Sequence, residues 1–200
     1  MKKLFEPLFT NRVEDKELLL KYLNKCTNYF EFGMGGSTTI AGNNKNIEKI
    51  YSVDNDLDWY KKIKKCFPEE RIGNNVFLFY INIKTTPHHF GIPSDDSNPD
   101  NYKNYSNAIF NLTKEDQQKI DLVFIDGRFR VACALKCFNV INDDCFVIVD
   151  DFSRKQYWQI LKYYEVVENS SNKCMAVLKK RKNCIPPTKE IIKKYEFIYN

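Results

Sequence analysis

Short apolar segments separated by helix-like segments constrain the fold of this chain more than any other feature. Each segment is almost continuously apolar rather than alternating, which is typical of a strand buried on both faces of a sheet. Helices between consecutive strands require crossover connections, and crossovers make the strands parallel. The predicted strands are residues 29–32, 49–53, 76–81, 122–125 and 145–149. The pattern predicts an α/β fold, with a doubly wound, mainly parallel sheet and helices on both faces.

The intervening segments have the apolar spacing of amphipathic helices. The predicted helices are residues 13–26, 57–67, 129–140 and 156–167. Residues 176–178 can add an edge strand, and residues 188–198 predict a terminal helix after a Pro-Pro pair. No linker or repeat divides the 200 residues, so one domain is expected, with a helical lead at 1–27 and a tail helix at 185–200.

The segment from 82 to 104 interrupts this alternation. It contains three prolines and a glycine and has no clear periodicity. Loops of this length are commonly functional, so we expect an active-site cover here. His88 and His89 lie within it, but adjacent residues of an irregular loop point in different directions, so neither is assigned as a general base.

Composition excludes several classes of protein. The formal charge of +5 comes from lysines mixed with acids on solvated faces, so nucleic-acid binding is not expected. The seven cysteines contain no C-x-x-C pair, which argues against zinc and a disulfide framework. No segment approaches the ~20 apolar residues needed to cross a bilayer. We therefore expect a cytoplasmic protein, and the sequence leaves its oligomeric state open.

Polar residues end the predicted strands, where ligands bind in an open parallel sheet. The first strand runs into Gly33, Gly35 and Gly36, which let the backbone approach a ligand closely. Asp54 follows by about 20 residues, the spacing at which a carboxylate accepts hydrogen bonds from ribose hydroxyls. The two features predict an adenosine-containing ligand. A dinucleotide motif would need a third glycine, where the chain has Thr38.

These motifs resemble those of class I methyltransferases that use S-adenosylmethionine (SAM). Residues 31–37 look like their first motif and residues 52–54 like their second, and the resemblance extends from about 29 to 178. Residues 125–135 and 147–152 look like later motifs of a little-characterised bacterial-type branch. The resemblance implies a Rossmann-like fold and SAM as cofactor. The residues that it assigns to SAM are Glu31, Gly33, Gly35, Gly36, Ser37 and Asp54.

A second resemblance concerns the chemistry. Asp126, Asp150 and Asp151 are similar to the metal site of magnesium-dependent sugar and catechol O-methyltransferases. That resemblance implies Mg²⁺ held by the three aspartates, with Asp126 and Asp150 activating the acceptor. It also implies a small-molecule acceptor, a sugar or nucleotide-sugar hydroxyl. The alternative is that Asp126 and Asp151 cap the next helices or pair with nearby arginines, while only Asp150 faces a ligand. Those arginines are Arg128, Arg130 and Arg154.

Two other functions stay open at this point. The basic segment at 179–182, Lys-Lys-Arg-Lys, is compatible with an RNA methyltransferase, and the fold is compatible with a non-catalytic SAM-binding or scaffold module. The predicted function is nevertheless methyl transfer from SAM to a small-molecule hydroxyl.

Overall fold

A computed structural model describes residues 12–86 and 89–199. In this part of the chain, seven strands form one sheet. The strands are β1 (Asn28–Phe32), β2 (Lys49–Asp54), β3 (Val76–Tyr80), β4 (Leu122–Ile125), β5 (Phe146–Val149), β6 (Tyr164–Asn169) and β7 (Ala176–Lys180). Their order is β3-β2-β1-β4-β5-β7-β6, and β1 to β5 are parallel. The predicted doubly wound, mainly parallel α/β fold is confirmed.

Helices cover both faces of this sheet. The α-helices are α1 (Val13–Leu23), α2 (Gly36–Asn43), α3 (Leu57–Lys64), α4 (Tyr102–Ser106), α5 (Lys114–Lys119), α6 (Arg130–Phe138) and α7 (Lys189–Lys193). The 3₁₀ helices are Glu69–Arg71, Pro99–Asn101, Asn107–Asn111 and Lys155–Lys162. Among the described residues, no helix has the length and apolar character required to cross a membrane.

The strands bury side chains on both faces. Tyr29 of β1 packs in a core that includes α1 and α3, whereas Phe30 and Phe32 pack in a core that includes α4 and α6. Successive side chains of a strand point to opposite faces, so a strand between two helical layers must be apolar throughout. This packing explains the uninterrupted apolar segments.

The prediction of a helix over 156–167 was wrong in its second half. The 3₁₀ helix ends at Lys162, and β6 begins at Tyr164 and pairs with β7 in an antiparallel hairpin. Val166 and Val167 are β-branched, which favours the strand once β7 offers a pairing edge. β7 is not the predicted edge strand, because it inserts between β5 and β6.

Two other boundaries also differ from expectation. The segment predicted as a loop over 82–104 already contains the 3₁₀ helix Pro99–Asn101 and the start of α4. The terminal helix is only Lys189–Lys193, after which the chain turns and packs Tyr195 and Tyr199 against the core. Part of the predicted helical lead, residues 1–11, lies outside the described residues, as does His88.

Candidate functional site

A cleft of about 850 Å³ opens at the carboxyl edge of the parallel strands. It lies where the chain leaves β1 and β4 in opposite directions, the position at which open α/β sheets bind ligands. Eight of the predicted site residues line it: Gly33, Gly35, Gly36, Ser37, Asp54, Asp126, Asp150 and Asp151. The tertiary structure therefore brings together residues that are up to 118 positions apart in the sequence.

The glycine loop follows β1 and leads into α2. Gly33 has φ of +100°, and a Cβ placed on it would lie 2.7 Å from the backbone nitrogen of Gly127. The loops after β1 and β4 thus pack backbone against backbone, which only glycine permits at this position. Gly35 has extended backbone, and a Cβ placed on it would meet nothing within 4 Å. The loop consequently leaves open space at Gly35.

Glu31 lies beneath this loop and does not line the cleft. Its carboxylate is fully buried and accepts hydrogen bonds from Tyr29 Oη at 2.9 Å, Ser37 Oγ at 2.8 Å and Ser52 Oγ at 2.6 Å. Burial raises the pKa of Glu31, and the hydroxyl donors oppose that change. Because the partners lie on β1, α2 and β2, Glu31 fixes the start of α2 relative to the sheet.

Asp54 ends β2 beside the glycine loop. Its Oδ2 accepts from the Met34 nitrogen at 2.9 Å, and its Oδ1 accepts from the Asp56 nitrogen at 2.8 Å. Burial raises its pKa to about 7, although these backbone donors lower it. Trp59 of α3 donates from its indole nitrogen to the Met34 carbonyl, which ties the loop to α3 as well.

Arginine side chains engage the three aspartates of the proposed metal site. Arg12, which precedes α1, binds both carboxylate oxygens of Asp150 at 2.9 Å and contacts Asp151 at 3.3 Å. Its Nε also lies 2.8 Å from the buried carboxylate of Asp15. A single nitrogen, Nη2, contacts both oxygens of Asp150, while Nη1 and Nε serve Asp151 and Asp15, so one guanidinium links three carboxylates by charge-assisted contacts.

A second and a third guanidinium complete the cluster. Arg130 of α6 lies 3.1 Å from Asp126, 3.5 Å from Asp151 and 3.8 Å from Asp150. Arg154 contacts Asp151 at 2.9 Å. The pairing of Asp126 and Asp151 is thus confirmed for Arg130 and Arg154, but Arg128 forms no ion pair among the described residues. The expectation that Asp150 alone stays free for a ligand was wrong, because Asp150 is buried and paired with Arg12 and Arg130.

The Asp126, Asp150 and Asp151 set does not fit a magnesium ion. A hard cation needs several carboxylate oxygens converging on one point, whereas guanidiniums here bind the carboxylates from both sides. Within 12–86 and 89–199, no group of three or more possible ligand residues is arranged to hold a metal. The charge that a cation would neutralise is already neutralised by arginine.

Asp126 is the most accessible of the three carboxylates that could act on an acceptor by proton transfer. Its side chain is 31% exposed, against 4% for Asp150. Burial raises its pKa well above the ordinary value, Arg130 opposes this, and the carboxylates of Asp150 and Asp151 add to the increase.

Several cleft residues escaped the sequence prediction. The cleft is also lined by Arg12, Trp59 and Tyr105, which belong to no motif that predicted a site. Phe90 lines the cleft too, but it belongs to the 82–104 segment that was expected to cover the site, and the residue is 88% exposed. That segment is tied to the cleft by hydrogen bonds at 2.8 Å from Asn55 Nδ2 to the Gly91 carbonyl and from Arg128 Nε to the Phe90 carbonyl.

No protein-family model and no curated protein sequence matches this chain. Among solved structures, a methyltransferase-like protein from Silicibacter pomeroyi is 22% identical, with a TM-score of 0.80 over 98% of this chain and 99% of that chain.

More distant matches include an O-methyltransferase from Bacillus cereus in complex with SAH, 10% identical, with a TM-score of 0.55 over 89% and 84% of the two chains. A putative tRNA (m1A22) methyltransferase from Streptococcus pneumoniae is also 10% identical, with a TM-score of 0.55 over 93% and 76%. The chain therefore has the Rossmann-like fold of these methyltransferase structures.

Proposed function

We propose that this protein binds SAM in the cleft and transfers its methyl group to the hydroxyl of a small-molecule acceptor. The observation that carries this proposal is the meeting of an open glycine loop with the buried carboxylate of Asp54 at the carboxyl edge of the sheet. Backbone amides can donate to polar groups of a ligand, and such a carboxylate can accept from ribose hydroxyls. The SAH-bound structure of the same fold supports this cofactor.

The proposal divides the cofactor residues into two groups. Gly35, Gly36 and Asp54 contact SAM, and Ser37 can contribute its backbone nitrogen because its hydroxyl is held by Glu31. Gly33 and Glu31 position the loop, since Gly33 packs against the backbone of Gly127 and Glu31 lies beneath the loop.

Methylation of a hydroxyl also needs a group on the protein that takes up the hydroxyl proton. SAM, when bound, supplies an electrophilic methyl group, so the protein must hold the acceptor oxygen in line and receive its proton. Asp126 is suited to that role because its side chain reaches the cleft and its raised pKa favours proton uptake. Asp150 positions the site through its pairs with Arg12 and Arg130. The oxygen–carbon bond forms, the carbon–sulfur bond breaks, and the proton passes to Asp126.

Because arginines pair with the aspartates, the resemblance to a metal site no longer supports a sugar as the acceptor. A sugar or nucleotide-sugar hydroxyl was predicted from a metal-site resemblance, and the aspartates do not fit that metal. The proposed acceptor is still a hydroxyl compound, and the proposed methyl transfer does not involve Mg²⁺. Sugars and nucleotide sugars remain the first acceptors to test.

Isothermal calorimetry with SAM and S-adenosylhomocysteine (SAH) tests the cofactor assignment. We expect a Kd of about 10 µM or tighter, which corresponds to about −6.8 kcal/mol. Absence of binding by both ligands would contradict the proposed function, because the glycine loop and Asp54 would then hold no adenosine.

Substitution of Asp126 tests the acceptor chemistry. Asp126→Asn should lower SAH formation over a panel of hydroxyl acceptors by about 10²–10⁴-fold while SAM affinity is kept. Asp143→Asn is the matched control, since Asp143 lies outside the cleft and its side chain is 93% exposed. Equal SAH formation by Asp126→Asn and the wild type would refute the proton-acceptor role.

The alternatives give different results in these assays. Two lysines of the basic segment 179–182 pair with acids, Lys179 with Asp144 at 3.6 Å and Lys180 with Asp143 at 3.2 Å, which favours a solvated surface over an RNA-binding one. Salt-sensitive RNA binding would support an RNA acceptor. SAM binding with no transfer to any acceptor, and with Asp126 replaceable, would support a binding module.

A further inference from the structure

Arg128 differs from the other arginines of the cleft. It follows Gly127 at the end of β4, lines the cleft and is half-buried. Arg12, Arg130 and Arg154 each contact at least one carboxylate. In the described ranges, Arg128 makes no such contact, and its one side-chain hydrogen bond runs from Nε to the Phe90 carbonyl at 2.8 Å. Its terminal amino groups therefore have no protein acceptor there.

The guanidinium of Arg128 is a cation partly removed from water. Burial lowers the pKa of Arg128, and the positive charges of Arg130 and Arg154 lower it further. A guanidinium nevertheless stays charged in proteins, so it remains a half-buried cation without an anion. An opposite charge stabilises a cation that is partly removed from water, and a ligand in the cleft can supply that charge.

Ion pairing leaves one cation of this region without a partner. We define the acceptor half of the cleft as Arg12, Arg128, Arg130, Arg154, Asp126, Asp150 and Asp151. Its three aspartates pair with Arg12, Arg130 and Arg154, and Arg12 also pairs with the buried Asp15. Among the described residues, Arg128 is therefore the arginine of this half that has no carboxylate beside it.

The planar shape of the Arg128 guanidinium indicates which anionic groups it can bind. The planar guanidinium donates two parallel hydrogen bonds, which match two oxygens of a carboxylate or a phosphate. The bond from Nε to the Phe90 carbonyl restrains the side chain and leaves the terminal amino groups available. A neutral hydroxyl would not compensate the charge.

We propose that Arg128 binds an anionic group of the acceptor, a carboxylate or a phosphate, and so selects acceptors that carry one. This inference rests on the proposed function, because the acceptor must lie in the same cleft as SAM. The acceptor molecule would then carry two features, the hydroxyl that is methylated and an anionic group that binds Arg128.

The test uses inorganic phosphate and acetate as probes, titrated by calorimetry into the full chain saturated with SAH at constant ionic strength. Arg128→Met removes the charge and keeps much of the side-chain length. Arg181→Met is the matched control, because within the described part of the chain the Arg181 side chain also donates only from Nε to a backbone carbonyl, that of Leu161, and it lies outside the cleft.

We expect the wild type and Arg181→Met to bind at least one probe, and Arg128→Met to bind it at least tenfold more weakly with SAH affinity unchanged. The tighter of the two probes identifies phosphate or carboxylate as the anchor. Equal probe binding by Arg128→Met and the wild type, or no binding of either probe, would overturn the inference. Failure of SAH to bind would instead refute the proposed function, and the probe titrations into the chain alone would still decide the anion site.

Discussion

Alanine substitutions at Gly33 and Gly35 should separate the stability of the fold from cofactor binding. At Gly33, φ of +100° costs an L-residue about 1–2 kcal/mol. The new Cβ would also lie 2.7 Å from the Gly127 nitrogen and 2.9 Å from its Cα. Because both contacts are backbone, the two loops would have to separate, and each lost hydrogen bond costs about 1 kcal/mol. We expect a loss of about 3 kcal/mol, or about 6–12 °C in Tm for a domain of this size.

Gly35→Ala should behave differently. The backbone there is extended, and the added methyl group meets nothing within 4 Å, so the free energy of unfolding should change by less than about 0.5 kcal/mol. Gly35 lines the cleft, however, and the methyl group would occupy space that the proposal gives to SAM. We expect SAM affinity to fall at least tenfold, which is about 1.4 kcal/mol.

Urea unfolding measures the first effect, and calorimetry with SAM measures the second. Gly35→Ala that binds SAM as tightly as the wild type would refute the assignment of the glycine loop to the cofactor. Gly33→Ala that unfolds at the wild-type urea concentration would refute the argument from backbone packing against Gly127. The two variants control for each other, since one changes mainly stability and the other mainly binding.

Other perturbations follow from the charges. Burial raises the pKa of Asp54 to about 7, whereas a free Asp has a pKa of about 3.9. As the pH rises, the unfolded chain therefore loses the Asp54 proton before the folded chain does. The free energy of unfolding should fall from about pH 4 to pH 7 and then level off. Urea unfolding across pH checks this, and a rise in stability attributable to Asp54 over that range would contradict it. Arg12→Met should destabilise the protein by about 3 kcal/mol, because it leaves the carboxylates of Asp15 and Asp150 without their nearest cation; an unchanged urea midpoint would refute this. Chelation with EDTA should leave SAM affinity and methyl transfer within about twofold, since arginines already neutralise the aspartates; restoration of lost activity by magnesium would be the opposite result.

Much of the fold and of the side of the cleft formed by the glycine loop and Asp54 could be predicted from sequence. The strands β1 to β5 are apolar because both faces are covered, and that property is local. The glycine loop and Asp54 also carry local signals, a run of glycines after a strand and a carboxylate after the next one. Periodicity and residue type record how a segment is buried, so these predictions needed no knowledge of distant contacts.

The acceptor half of the cleft was decided by tertiary structure. Arg12 and Asp150 are separated by 138 positions, and no local pattern tells which opposite charges meet across that distance. From the sequence alone, the three aspartates resemble a metal site. In the folded structure, Arg12 and Arg130 lie against them and form ion pairs instead. The hairpin of β6 and β7 was decided in the same way, because residues 164–169 become a strand by pairing with a partner. Sequence determined which residues are buried and where the chain turns, whereas the folded structure determined which charges neutralise one another and left Arg128 without a partner among the described residues.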